Sequence, residues 1–244
     1  MKHCLLLFLT LSTSAFAGDW ADALRADAAE VRAASPALAA RIDSLQPIRN
    51  RAGRFFFPGK GLVGAAAQTL LAERLFFGTD ESEIQVALAY SLATPVAWPT
   101  IERQSEPVRV ALIQGYKRVP DEAVYLAAMA DESSAVVGET VRMLGYAGEL
   151  KSPLLTQQLV ASLKHDSGEV RRLAARSLGW LGEQDAFGPL QPLLRDERPG
   201  VTEAAVRALG LLDPKQARSL PALIGLAQDP HPGTRRAVKK ILQN

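Results

Sequence analysis

An apolar pattern that returns six times along the 244-residue chain points to stacked helices. In the segment SGEVRRLAARSLGWLG, Val170, Leu173, Ala174, Ser177, Leu178 and Leu181 stand at steps 0, 3, 4, 7, 8 and 11. Those steps trace one face of an α-helix with 3.6 residues per turn. Val201, Ala204, Ala205, Ala208, Leu209 and Leu212 repeat the pattern, as do Val108, Ala111, Leu112, Gly115, Tyr116 and Val119. Shorter or imperfect copies start at Ile84, Val136 and Thr234, with Glu139 as a mismatch at step 3. The six starts lie 24, 28, 34, 31 and 33 residues apart. About thirty residues hold two short helices and two turns, so each unit is expected to be a helical hairpin whose second helix carries the pattern.

The punctuation agrees with that period. Ser105, Ser133 and Ser167 are expected to cap second helices, and Pro199 and Pro232 stand at early helical positions. First helices are expected from Asp121 to Ala130, Pro153 to Leu163, Asp185 to Arg195 and Pro214 to Ala227, and a longer helix from Val63 to Phe77. Between Pro95 and Arg103 two prolines leave room for only a short helix. Residues 18–46 read as a helical hairpin broken at Ser35–Pro36, covering the open end that such stacks must protect from water. Residues 47–62 form a basic, aromatic, glycine-rich loop, and residues 63–244 the repeat array. No alternating strand pattern of useful length is present.

The run VRRLAARSLGWLG, followed by leucines at 190, 193 and 194 and an acidic turn at Asp196, resembles HEAT repeats of the short bacterial kind. Acidic turns at Asp131, Asp166 and Asp229 extend the likeness over residues 131–244 and partly into 79–130. The resemblance implies an all-α fold, a right-handed α-solenoid of stacked hairpins whose second helices line a concave face. It also implies a scaffold or adaptor that binds a protein or peptide along that face.

Two groups of residues are candidates for such binding. Step 6 of the pattern reads Tyr90, Gln114, Arg142, Arg176, Arg207 and Lys240, and step 1 supplies Arg109, Arg171 and Arg235. Equivalent positions of stacked hairpins lie side by side, so these cations are expected to form a ridge suited to carboxylates or phosphates. The alternative is a solvated face balanced by Glu169, Glu183 and Glu203. The second group is the loop, where Phe55, Phe56 and Phe57 stand among Arg51, Arg54 and Lys60. Rings beside cations can grip a partly apolar anion; the plainer reading has two rings plugging a gap while the cations stay in water.

Other classes are poorly served. Leu5 to Ala17 is an apolar to small-residue run after Lys2, and Ala15-Phe16-Ala17 gives the small-x-small pattern of a signal-peptidase site. Cleavage after Ala17 and a periplasmic or secreted location are therefore expected, with residues 1–17 as signal peptide and no stable membrane insertion. That cleavage removes Cys4, the only cysteine, and leaves two isolated histidines, His165 and His231. No metal, cofactor or catalytic constellation is expected, nor an enzyme, unless one is carried on loops without a recognisable motif. The glycines at 59, 61 and 64 lack the βαβ context of a nucleotide site. A net charge of only +2 gives no field for nucleic acid. A protein or peptide partner, acidic in character, fits the ridge; an anionic envelope polymer or lipid head group is the rival. The protein is expected to be a monomer.

Overall fold

The computed structural model describes residues 17–49, 51, 55–57, 62, 64–78, 80–92, 101–115, 122–147 and 152–243. The expected signal segment before Ala17, Arg54, Lys60 and the proline-bound stretch 93–100 lie outside them. The chain divides into two compact units, residues 1–127 and 128–244.

In the first unit, α1 (Ala17–Ala34) and α2 (Pro36–Asp43) meet at Ser35 and pack against α3 (Ala65–Phe77). Pro36 starts α2 where its missing N–H costs nothing. Leu24, Ala28 and Ile42 from the hairpin and Leu70, Leu71 and Leu75 from α3 form the core, all at 2% exposure or less. Charge ties the pieces together at the rim: Arg32 bridges Asp43 and Glu73, and Arg74 holds Asp80 while donating to the Ile42 carbonyl. Helix α4 (Ser82–Ser91) packs along α5 (Glu106–Gly115), which is followed by α6 (Glu122–Ala128). Gly115 lets α5 close on α4, since a Cβ there would stand 2.8 Å from the Leu92 carbonyl oxygen.

The segment expected to be a plain loop contains a small ribbon. Strands β1 (Ile48–Arg49) and β2 (Phe55–Phe56) pair antiparallel, Ile48 opposite Phe56 and Arg49 opposite Phe55. Two-residue strands are too short to show alternation, so the sequence carried no such signal. Phe57 is buried, whereas Arg51 lies exposed in the connecting turn. Buried Gln68 ties the segment down by donating to the Leu62 and Ser91 carbonyls.

The second unit is a run of hairpins. Its second helices are α7 (Ser134–Ala147), α9 (Gly168–Leu181), α11 (Pro199–Leu212) and α14 (Pro232–Gln243), and each packs on the next. Template positions are buried nearly throughout: Val170, Ala174, Ser177, Leu178, Ala205 and Leu209 are all at 0% exposure. Leu242 is the departure at 41% exposed, because α14 has no following helix over it among the described residues. Step 5 is also buried, through Val141, Ala175 and Val206, since a helix between two neighbours is covered on both flanks.

The first helices are less regular than the sequence suggests. Helix α8 (Pro153–Ala161) ends in a 3-10 turn, Ser162–Lys164. The next is two 3-10 segments around a four-residue α10 (Phe187–Leu190), with Pro189 and Pro192 removing helical donors. The helix expected from Pro214 to Ala227 is broken into α12 (Pro214–Ser219) and α13 (Pro221–Gly225), because Leu220, preceding a proline, takes an extended ψ of 115°. Asp213 caps α12 by accepting from Lys215 and Gln216 N–H groups. Ser133 caps α7 in the expected way, but Ser167 makes no side-chain cap bond. Gly182, at φ 72°, ends α9 in the left-handed conformation that favours glycine.

Candidate functional site

Four structural columns run along the second helices of this unit, and each comes from one repeat register. The first fixes the turns. Arg171 donates to the His165 and Asp166 carbonyls, and Arg235 to those of Asp229 and Pro230. Thr202, in the same register, reaches the Asp196 carbonyl at 3.4 Å. Arg171 also forks onto Asp196 of the following repeat at 2.7 and 3.0 Å. In the first unit, buried Arg109 likewise donates to the Gln104 carbonyl at 2.8 Å. Arg109, Arg171 and Arg235 therefore belong to the turns and not to a ligand-facing ridge. An arginine one step into the helix points back over the preceding turn, where carbonyls are the nearest acceptors.

The turns themselves repeat an acceptor five residues before each start. Asp131, Asp196 and Asp229 accept the N–H two residues on, at 2.8, 2.9 and 2.8 Å. In the remaining turn His165 fills that place through Nδ1, accepting from Ser167 at 3.0 Å. The acidic turn expected at Asp166 is thus shifted by one, and His165 is a turn residue.

A glycine column brings the helices together at step 9. A Cβ on Gly145 would meet Ser177, one on Gly179 would stand 2.8 Å from the Ala208 Cα, and one on Gly210 would meet Ile241. Ser177 donates across the first of these contacts to the Val141 carbonyl at 2.8 Å.

The remaining two columns face outward. Step 6 carries Arg142, Arg176, Arg207 and Lys240; step 10 carries Tyr146, Trp180 and Leu211, which are 48, 46 and 59% exposed. The step-10 column is absent from the sequence reading. Its signal was available as a bulky residue four positions after each of three cations, one helical turn on. Arg142 lies over the Tyr146 ring at 5.5 Å and Arg176 over Trp180 at 4.7 Å, while the two rings are 5.2 Å apart and tilted by 40°.

These columns border a groove of about 620 Å³ built on α9, α11 and α14. Ala204 and Ala208 of α11 line it together with Trp180, Leu211 and Ile241. Four cations, Arg172, Arg176, Arg207 and Lys240, line it against one carboxylate, Glu203. Partners differ among them. Arg142 is paired to Glu139, Arg172 to Glu169 at 2.8 Å, and Arg207 to Glu203 at 2.7 Å. Glu203 also faces His231 at 3.7 Å. Arg176 has no carboxylate partner among the described residues, and its Nε is buried without a hydrogen-bond acceptor. Burial and then the charge of Arg172, with a smaller push from Arg142, hold its guanidinium below its usual value, against pulls from Tyr146 and Glu169. A cation left unpaired beside like charges has its strongest available interaction with an anion from outside.

The Phe-rich loop gives a thinner site. The side chains of Phe55 and Phe56, and all of Arg54 and Lys60, are outside the described residues. Phe57 is buried at 6% exposure, so its ring is not a free surface. Among the described residues no cluster of His, Cys, Asp and Glu is placed to hold a metal, and no helix is long and apolar enough to cross a membrane.

Helical hairpins whose second helices pack one on the next, with a repeated turn acceptor and a repeated glycine contact, define an all-α repeat protein of the solenoid class. A family model for HEAT repeats matches residues 122–209 and 152–243, together half the chain. The chain belongs to the HEAT-repeat family. No curated protein matches it. Among solved structures, the X-ray structure of YibA from Escherichia coli is similar with a TM-score of 0.52 at 16% identity, over 73% of this chain and 68% of that one. An engineered protein aligns over 98% of this chain and 94% of its own, at 20% identity and a TM-score of 0.45. At these identities the likeness to YibA speaks for the fold alone. HEAT-like repeats are commonly protein-interaction scaffolds.

Proposed function

We infer that this is an exported protein-interaction scaffold that binds a protein or peptide segment along the second helices of residues 128–244. One observation carries the reading. Those helices hold cations and large apolar side chains out of the core, in two adjacent columns, around a groove whose Arg176 has no carboxylate partner among the described residues. A merely solvated face has no use for exposed Trp180 and Leu211 beside the arginines, because exposed rings and leucines cost solubility. Buried core contacts hold the helices rigid and so preorganise the surface. Export is supported by the apolar run Leu5 to Ala17 and its Ala15-Phe16-Ala17 ending.

The test is capture from an envelope extract with the tagged full chain, whose intact mass is expected to begin at Gly18. A discrete protein band is expected at physiological salt, and it should be lost in Arg176→Glu with Arg207→Glu, since like charge then faces an acidic partner. Capture that disappears at moderate salt and leaves polysaccharide or lipid but no protein would favour an anionic polymer instead. Equal capture by the double variant would remove the groove from the reading.

A further inference from the structure

The groove lining is sorted along the helix axis, because its three helices pack in constant register. Step 9 of each second helix meets step 7 of the next, at Gly145 and Ser177, Gly179 and Ala208, and Gly210 and Ile241. Step 2 of each meets the residue just before the start of the next, at Arg172 and Gly200 and at Glu203 and Gly233. Two matched contacts per pair hold α9, α11 and α14 level, so one step number stands for one height along the groove.

Chemistry changes with that height. At step 2 stand Arg172 and Glu203, with His231 nearby, and these are taken up by each other's neighbours: Arg172 by Glu169, Glu203 by Arg207 and His231. At step 6 stand Arg176, Arg207 and Lys240. At step 10 stand Trp180 and Leu211, and Ile241 and Pro214 complete the same end. Four residues at a helical rise of about 1.5 Å put the apolar end about 6 Å from the cations. The floor between them is Ala204 and Ala208, whose small side chains leave the space open. Cationic and apolar surface are thus separated along α11, one at each end of the same trough.

The cationic level offers an anion two free groups. Arg207 is held by Glu203, whereas Arg176 and Lys240 have no carboxylate partner among the described residues. Arg176 lies over the Trp180 ring at 4.7 Å, at the junction of the two ends, and its Nε is buried without an acceptor. A guanidinium and an ammonium both suit a carboxylate or phosphate oxygen. The volume of about 620 Å³ matches one small molecule, since such sites run to about 300–1,000 Å³ with mainly apolar walls and a few placed polar groups.

We propose that the groove on α9, α11 and α14 is a binding site for a small amphipathic anion, a medium-chain carboxylate or alkyl phosphate. Its head meets Arg176 and Lys240, and its apolar body lies over Ala204 and Ala208 between Trp180, Leu211 and Ile241. A ligand with one charged end and one apolar end matches both levels at once, whereas a bare anion leaves the apolar end wet and a neutral chain leaves Arg176 unpaired. The site goes beyond the scaffold reading and does not depend on it.

Isothermal titration of the full chain with decanoate and decyl phosphate, below their micellar concentrations, tests this. Each is expected to bind one molecule per chain, at least tenfold more tightly than acetate, inorganic phosphate, decanol or decyltrimethylammonium. Arg176→Gln and Leu211→Ser should each weaken decanoate about tenfold with helical circular dichroism unchanged. Exposed Leu154→Ser and Arg195→Gln, on first helices, should leave it unaltered. Decanol binding as well as decanoate would reduce the groove to an apolar slot, and acetate or phosphate binding as well would reduce it to an ion site; either overturns the proposal. Several molecules bound per chain, or losses equal in the first-helix controls, would mean surfactant adsorption and overturn it too. If none of these compounds binds, the proposal fails, while the scaffold reading stands or falls separately on capture from the extract.

Discussion

Gly179→Ala should destabilise the second unit, although alanine is the better helix former. Removing a glycine from a helix interior returns about 1 kcal/mol of helix propensity. The new Cβ, however, would stand 2.8 Å from the Ala208 Cα and 2.9 Å from its Cβ. Carbon atoms pack comfortably at about 3.5–4.0 Å, so α11 must retreat by nearly 1 Å. The obstacle is backbone and cannot rotate away, and the flanking Ala205 and Leu209 are wholly buried. Overpacking of this kind costs about 1–3 kcal/mol, and a rigid obstacle puts it at the upper end. The net loss is then about 2 kcal/mol, or roughly 8 °C in the midpoint for a cooperative unit of this size. Two glycines serve as controls. Gly225 sits at φ −57°, and a Cβ added there would find nothing within 4 Å, so Gly225→Ala should gain about 0.5–1 kcal/mol. Gly210 meets the Ile241 side chain, Cδ1 at 2.6 Å and Cγ1 at 2.7 Å, and no backbone atom, so Gly210→Ala should cost less than Gly179→Ala. Thermal unfolding by far-ultraviolet circular dichroism, with calorimetry to separate the two units, reads all three. A Gly179→Ala midpoint at or above wild type would show that the helices do not approach as described.

Leu178→Ala should cost about 2–5 kcal/mol, the range for a leucine truncated in a packed core, whereas Arg176→Ala, off the buried face and without a carboxylate to leave unpaired, should cost under about 1 kcal/mol; equal losses in urea melts would place the helical phase wrongly. Acid should act partly through Asp196. Burial raises its carboxyl, but the hydrogen bond from Arg171, that from the Arg198 N–H and the charges of both arginines outweigh it and hold it below the usual 3.8. A depressed carboxyl stabilises the fold above its unfolded value, and that stability fades as pH falls from there through the lower folded value. Asp196→Asn should therefore lower stability by roughly 1.5–3 kcal/mol near neutrality and flatten its loss below about pH 4. A parallel acid titration of both proteins checks this, and an unchanged slope would refute it.

The helical character, the six registers and most of the core were legible in the residues, because burial on one side of a helix imposes a 3.6-residue period that the chain records directly. Val170, Leu178 and Leu209 could be placed in the core without coordinates. The same local logic found Arg142, Arg176, Arg207 and Lys240 as an off-core column. It could not separate them from Arg109, Arg171 and Arg235, since both sets are cations outside the apolar face. Tertiary structure divides them: step 1 sits over the turn carbonyls and, at Arg171, over the next repeat's Asp196, while step 6 opens to solvent. Burial at step 5 and the glycine contacts at step 9 are likewise decided by a neighbouring helix, whose distance no single repeat encodes. Trp180 read alone is one exposed residue; beside Tyr146, Leu211 and the trough lined by Ala204 and Ala208 it becomes a wall. Intrahelical spacing follows from the chain's own geometry, whereas a groove is made by side chains some thirty residues apart, brought together only when the hairpins stack.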